Sequence, residues 1–251
     1  MRIVRALPQV MLWVLILATA TVIAAVCSGI IHGEDGIDLR TTAPRGAKAT
    51  PGAVATPGPA SNASLKAESD DGANLPGRFV PTQGRQHTSA YPLDKHIEFC
   101  PEHQISNDCY ASNPPTSGMH LPVQAAVLLE NRHTIKIPPD PGVYDFDIPR
   151  ESVPHIEEHA GVYVGYHCVS DDCTKTAERL RNLVTQEISL GARVVMSSDP
   201  DLDEDTIGIA AWTRADDFAS ADYTNERVRT FIKAHSCRFD PELFCKQTPV
   251  N

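Results

Sequence analysis

The chain has 251 residues, of which 32 are Asp or Glu and 22 Lys or Arg, giving a formal charge of −10 at neutral pH. With that balance and no basic stripe, nucleic acid and anionic lipid headgroups are excluded as expected partners. Setting aside an apolar lead and a linker leaves roughly 170 residues, enough for a single hydrophobic core.

Residues 1–9 form a short N-terminus carrying Arg2 and Arg5. Residues 10–31 contain no charged side chain, are rich in Leu, Val, Ile and Ala, and match the length of a bilayer-spanning helix. Glu34, Asp35 and Asp38 follow it. Positive charge stays on the cytoplasmic side, so a single-pass cell-membrane protein with its C-terminal bulk outside is expected. A cleaved signal peptide with Ala18-Thr19-Ala20 as its site is the competing reading. The apolar run continues past Ala20, which favours a retained anchor. Ala24-Ala25-Val26 is a poor processing site for lipid attachment at Cys27, so that thiol is read as buried in the helix. Residues 32–78 turn to Pro, Gly, Ala, Ser and Thr, with too few large apolar side chains to offset chain entropy, and read as a disordered spacer. Asn62-Ala63-Ser64 is a glycosylation sequon that matters only in a eukaryotic host.

Residues 79–251 are expected to fold. The mostly apolar stretch 121–130 reads as a short helix. Residues 161–167 alternate Val162, Val164 and Tyr166 against Tyr163, Gly165 and His167, a strand pattern. Residues 174–189 place Ala177, Leu180, Val184 and Ile188 on one helical face, and Gly191 supplies the stop. Residues 192–197 and 206–212 are β-rich, and residues 225–235 form a second amphipathic helix. The mixture predicts an α+β fold: one compact domain with a mixed or antiparallel sheet and a few flanking helices. The acidic run 199–205 fails as a hand-type calcium loop, because Glu204 stands where Gly is needed and Ala210 where a late Glu is needed. A solvated turn between two strands is expected there.

Beyond Cys27 there are six cysteines, an even number that fits disulfides in an exported domain. Their grouping points to Cys100–Cys109, Cys168–Cys173 and Cys237–Cys245, although six cysteines permit fifteen pairings. The sequence lacks a Cys-x-x-Cys, which argues against a zinc–thiolate site.

The densest chemical cluster is His155-Ile156-Glu157-Glu158-His159, with the His-x-x-Glu-His spacing of inverted zinc peptidases. On a helix, His155 and His159 share a face with Glu158 beside them, and two imidazoles so placed can ligate one metal with a third ligand from elsewhere. Ser152 is placed to cap such a helix, with Pro154 in its first turn. Upstream, the loop 113–120 combines Pro114, Pro115 and Gly118 before His120, a rigid setting for that imidazole. His87 follows Gly84-Arg85-Gln86, while His96, His103, His133, His167 and His235 read as ordinary surface or packing residues. Ser117 has no base placed beside it by sequence.

Taken in order, Gly84-Arg85-Gln86-His87, Pro114-Pro115-Thr116-Ser117-Gly118-Met119-His120, Gly142-Val143-Tyr144 and His155-Ile156-Glu157-Glu158-His159-Ala160-Gly161-Val162 resemble the bacterial domain-of-unknown-function family 3105. The likeness spans about residues 79–242 and departs at Ala160, where that family usually has Gly. It implies that His87, His120, His155, Glu158 and His159 belong to one design without naming a reaction. Three functional expectations follow. The first is transition-metal binding, by zinc or copper, through those five residues. The second is a zinc hydrolase with Glu158 activating a metal-bound water, for which Glu187 and Glu226 are the downstream carboxylates weighed as a distal ligand. The third is an envelope adaptor with a protein partner, in which the histidines and Glu158 form a structural hydrogen-bonded network.

Overall fold

A computed structural model describes residues 67–69, 74–88, 90–91 and 110–245. Within them lie strands β1 (Arg78–Phe79), β2 (Gln124–Leu128), β3 (Thr134–Ile137), β4 (Gly142–Val143), β5 (Val162–His167), β6 (Val194–Ser198), β7 (Thr206–Ala211) and β8 (Arg214–Ala219). The helices are α1 (Val153–Glu158), α2 (Asp171–Ser189) and α3 (Asn225–His235). Among the described residues no helix is long and apolar enough to cross a membrane. The expected anchor at 10–31 and the Cys100–Cys109 pair lie outside them.

Period-2 alternation builds the centre. Val162 and Val164 of β5, with Val194 and Met196 of β6, face one core, while Tyr163 and Val195 face the other. Because both faces are covered, the strands read as near-continuous buried runs. The six-stranded sheet has the order β1-β8-β7-β5-β6-β4 and is mixed. β5 and β4 run parallel to β6, whereas β7 runs antiparallel to β5 and β8. The β5-α2-β6 crossover lays α2 on the first face, where Leu180, Leu183 and Val184 meet Val228, Phe231 and Ile232 of α3. Fully burying each such aliphatic side chain stabilises by about 1.5–3 kcal/mol. The second face packs Leu121, Ile137, Val153 and Ile156 against Tyr163 and Val195.

The α+β fold with a mixed sheet and a few helices is as expected, and three local readings change. Helix α2 begins three residues before the expected 174, because Ser170 caps it by accepting from Cys173 N and Asp171 and Asp172 occupy the first turn. The 121–130 stretch is not a helix: β2 pairs antiparallel with β3, burying Val127 while its neighbours point outward. A short apolar run does not reveal its period, and pairing with Thr134–Ile137 decided it. The acidic 199–205 segment does connect β6 to β7, but Asp199 is buried, accepting from Tyr163 Oη at 3.3 Å and Arg150 Nη1 at 3.4 Å.

Disulfides join Cys168 to Cys173 at the start of α2 and Cys237 to Cys245 beyond α3. In the stretch read as spacer, residues 67–69 are helical and Ala67 is buried with Trp212 and Phe239.

Candidate metal centre

Three separate stretches of chain meet beside the second core. The loop before His120 is seated on β7, where Pro114 fills the space that Gly208 leaves open. Thr213 N donates to Thr116 O at 3.1 Å, and Tyr110 Oη donates to Met119 O at 2.8 Å. Gly118 adopts φ +116°, a backbone state that its lack of a side chain permits. Ser117 Oγ is buried and accepts from Gln83 N at 2.9 Å, a structural role. The 84–88 segment then runs alongside: Gly118 N donates to Gly84 O, His120 N to Gln86 O and Thr88 N to His120 O. These bonds set His87 beside His120 in a parallel bridge.

The third stretch is α1. Pro154 sits in its first turn as expected, and Ser152 occupies the N-cap, but its hydroxyl donates to Pro149 O at 2.6 Å instead of capping. His155 and Glu158 fall three residues apart and His159 forms the C-cap. Ala160 follows at φ +65°, the left-handed state in which a glycine costs least. Its departure from the family pattern therefore falls at a strained position.

Among the described residues, His87, His120, His155 and Glu158 each present a ligand atom within 4.8 Å of the other three. His120 and His155 are 0 % and 1 % exposed, and Glu158 is 2 %. His120 Nδ1 donates to Gly118 O at 2.8 Å, and His155 Nδ1 donates to Leu121 O at 2.6 Å. Those carbonyls hold the ring protons on Nδ1 and leave both Nε2 lone pairs facing inward, the usual outer arrangement of metal-ligating histidines. Glu158 Oε2 lies 2.9 Å from His120 Nε2. The contact is not aligned as a hydrogen bond, and the Nε2 atoms of His120 and His87 are both buried without a hydrogen-bond partner. Burial, then the neighbouring His120, pushes the His155 pKa down to about 2, and burial lowers that of His87. At neutral pH both imidazoles are uncharged, the form a metal requires.

His159 stands at the edge of this group. Its Nε2 is 3.0 Å from His155 Nε2 and 3.2 Å from Glu242 Oε2, and its ring stacks on Phe244 at a 4.1 Å centroid separation. Burial takes its pKa down to about 4. His155 Nε2 has one lone pair, so it either accepts from His159 or ligates a metal. In the second case Glu242 is the acceptor left to His159. Beyond His159 opens a cavity of about 360 Å³ lined by Pro138, Pro139, Pro141, Arg193, Glu242 and Phe244.

Two residues near the site were not among the expected site residues, although Arg85 stands in the Gly84–His87 motif. Arg85 Nη1 lies 3.6 Å from Glu158 Oε1. Glu242 arrives on the loop closed by Cys237–Cys245. Glu187 and Glu226 do not reach the site: Glu187 accepts from Arg229 Nε at 2.8 Å, and Glu226 accepts from Thr230. Glu157, fully buried and raised well above the usual carboxylate range by burial, is not among the converging residues. His133 stacks on Phe146, His167 bonds to Leu202 O and His235 to Pro76 O, while His96 and His103 lie outside the described residues.

Fold and site together define an α+β domain carrying a buried histidine–carboxylate group that could hold a metal ion. The chain belongs to the family described as "Protein of unknown function (DUF3105)", whose model matches residues 102–247. That span includes His120, His155, Glu158 and His159, and His87 precedes it. No curated protein and no solved structure matches the chain.

Proposed function

We propose that this domain binds a transition-metal ion, zinc or copper, through His87, His120, His155 and Glu158, and that the chain displays the site outside the cytoplasm from an N-terminal membrane anchor. One observation carries the metal reading. Two fully buried imidazoles have their Nδ1 protons committed to backbone carbonyls, so their Nε2 lone pairs converge on His87 and a carboxylate. Three nitrogens and one oxygen suit zinc or copper better than a hard, oxygen-seeking cation. The anchor rests on the uncharged 10–31 run, and an oxidising compartment fits the two disulfides. The full chain, purified without a nickel column, should carry or take up close to one zinc or copper ion, read by elemental analysis. Protein that takes up neither metal sinks the proposal.

A second reading has its own support, namely the 2.9 Å approach of His120 to Glu158 and the hydrogen bond between His155 and His159. Here the same residues form a metal-free network that fixes loops in an adaptor for a protein partner. It requires wild-type thermal stability to be indifferent to chelator, and His155→Ala to be destabilising to the same extent with and without it. A metal site requires chelator to lower the wild-type melting temperature.

A further inference from the structure

The cavity of about 360 Å³ beside the histidine group reaches His159 and Glu242 but is lined by none of the four converging residues. His120, His155 and Glu158 are buried, and the Nε2 atom of the partly exposed His87 is covered as well. An ion arriving through that cavity therefore has to be handed inward by residues that line it. Its charged lining is Lys136 and Arg193 against Asp140 and Glu242, a balance of zero, so ligand atoms and not a net field would hold the ion. Lys136 is paired with Asp140, while Arg193 donates to His159 O at 2.8 Å and lies over the Phe244 ring. His159 and Glu242 are the lining residues left to act as ligands.

Their geometry fits that task. His159 Nε2 lies 3.2 Å from Glu242 Oε2. Two ligand atoms bound to one tetrahedral zinc ion stand roughly 3.3 Å apart, so the pair already has the span of a single ion. On its other side His159 Nε2 is 3.0 Å from His155 Nε2. With its own proton on Nδ1, His155 accepts from His159 Nε2–H in the empty chain, and its lone pair is taken. An ion bound at His159 Nε2 leaves the ring proton on Nδ1 and releases the His155 lone pair in the same act. It then stands one ligand exchange away from the four-residue centre.

We propose, resting on the metal reading, that His159 and Glu242 form an outer two-ligand site through which the zinc or copper ion passes between the cavity and the buried centre. Neither is a resident ligand. Once the ion has moved inward, His159 Nε2–H turns to Glu242.

The test measures rates on the full chain, with zinc or copper, whichever wild type takes up to one equivalent. A weak, fast-exchanging chromogenic indicator follows uptake by metal-free protein, excess EDTA drives release, and competition with a chelator of known strength gives the affinity. A residue used only in transit slows entry and exit by the same factor and leaves the affinity unchanged. Glu242→Gln, which keeps an acceptor for His159 but loses the charged ligand, should slow both rates at least fivefold with affinity within twofold of wild type. His159→Leu, which fills a similar space without a ligand atom, should do the same, and it serves if the glutamine variant does not fold. Asp140→Asn removes an equal charge from the same cavity and should leave both rates within twofold. Wild type that takes up neither metal overturns the metal reading and this proposal with it. One bound equivalent with wild-type rates in both variants, or a slowing matched by Asp140→Asn, overturns this proposal alone. So does a loss of affinity in either variant, because that residue would then be a resident ligand.

Discussion

Pro114 packs against β7 at Gly208, where an added Cβ would stand 2.6 Å from Pro114 Cδ and 2.9 Å from a Leu202 methyl. Neither atom belongs to a long, flexible side chain that can swing aside. The close approach links a central strand to the loop that ends in His120. Gly208→Ala is therefore expected to destabilise the domain by about 1–3 kcal/mol through overpacking. It should also weaken metal uptake, because the loop must lift. Urea unfolding beside a zinc titration checks both effects, and an unchanged midpoint would refute the seating argument.

Acid is expected to unfold the domain through its buried imidazoles. His155, His159 and His235 have folded pKa values pushed down to about 2, 4 and 4, chiefly by burial, against an unfolded value of 6.5. The unfolded chain thus binds more protons in this window, and stability falls as pH drops. The contribution of these groups is complete above about pH 6.5 and is lost on acidification from there towards pH 4, at up to ~1.4 kcal/mol per pH unit for each histidine. Denaturant midpoints measured from pH 7.5 to pH 4 in the presence of chelator check it. A flat profile between pH 6.5 and 4.5 would count against buried neutral histidines.

Helices α2 and α3 are tied by Arg229 Nε, which donates to the buried Glu187 at 2.8 Å. Arg229→Ala strands a carboxylate that is 4 % exposed, and a loss of about 2–3 kcal/mol is expected. Arg229→Ala combined with Glu187→Gln should recover part of the loss, as a double-mutant cycle would show. The exposed Lys175–Asp172 pair, broken in parallel by Lys175→Ala, should cost under ~1 kcal/mol.

Opening the Cys237–Cys245 loop should unmask His159. Glu242 and Phe244 ride on that loop, and both touch the His159 ring. The double replacement of Cys237 and Cys245 by Ser is expected to speed diethyl pyrocarbonate modification of His159, followed by peptide mass spectrometry. His120 and His155, covered by other segments, should stay protected. Equal rates in both proteins would show that the loop does not cover the ring.

Much of this fold was legible because its strongest signals are periodic. Val162 and Val164 against Tyr163 revealed β5, and Leu180 and Val184 revealed α2. The 121–130 stretch misled because a few apolar residues fit either period and their partner strand β3 is short. Strands β1 and β4 have two residues each, too short for any pattern, and exist only through pairing with β8 and β6. The site divides in the same way. His155, Glu158 and His159 share one turn of helix, so their spacing announced them, and Gly118 marked the loop before His120. Arg85 stood in the motif before His87 with no role of its own, and Glu242 came unannounced, since each belongs to an aperiodic segment whose place is set by contacts distant in sequence.

The four converging residues come from position 87, position 120 and the 155–158 turn, held together by backbone bonds such as His120 N to Gln86 O and Leu121 N to Glu151 O. An unfolded chain has no such pocket to offer, so on the proposed metal reading affinity for the ion and stability of the fold become a single thermodynamic quantity. Loading would then follow folding, and the ion would act as a rivet through three distant lengths of chain. Starvation for metal would be felt first as a softer protein and only afterwards as an empty one.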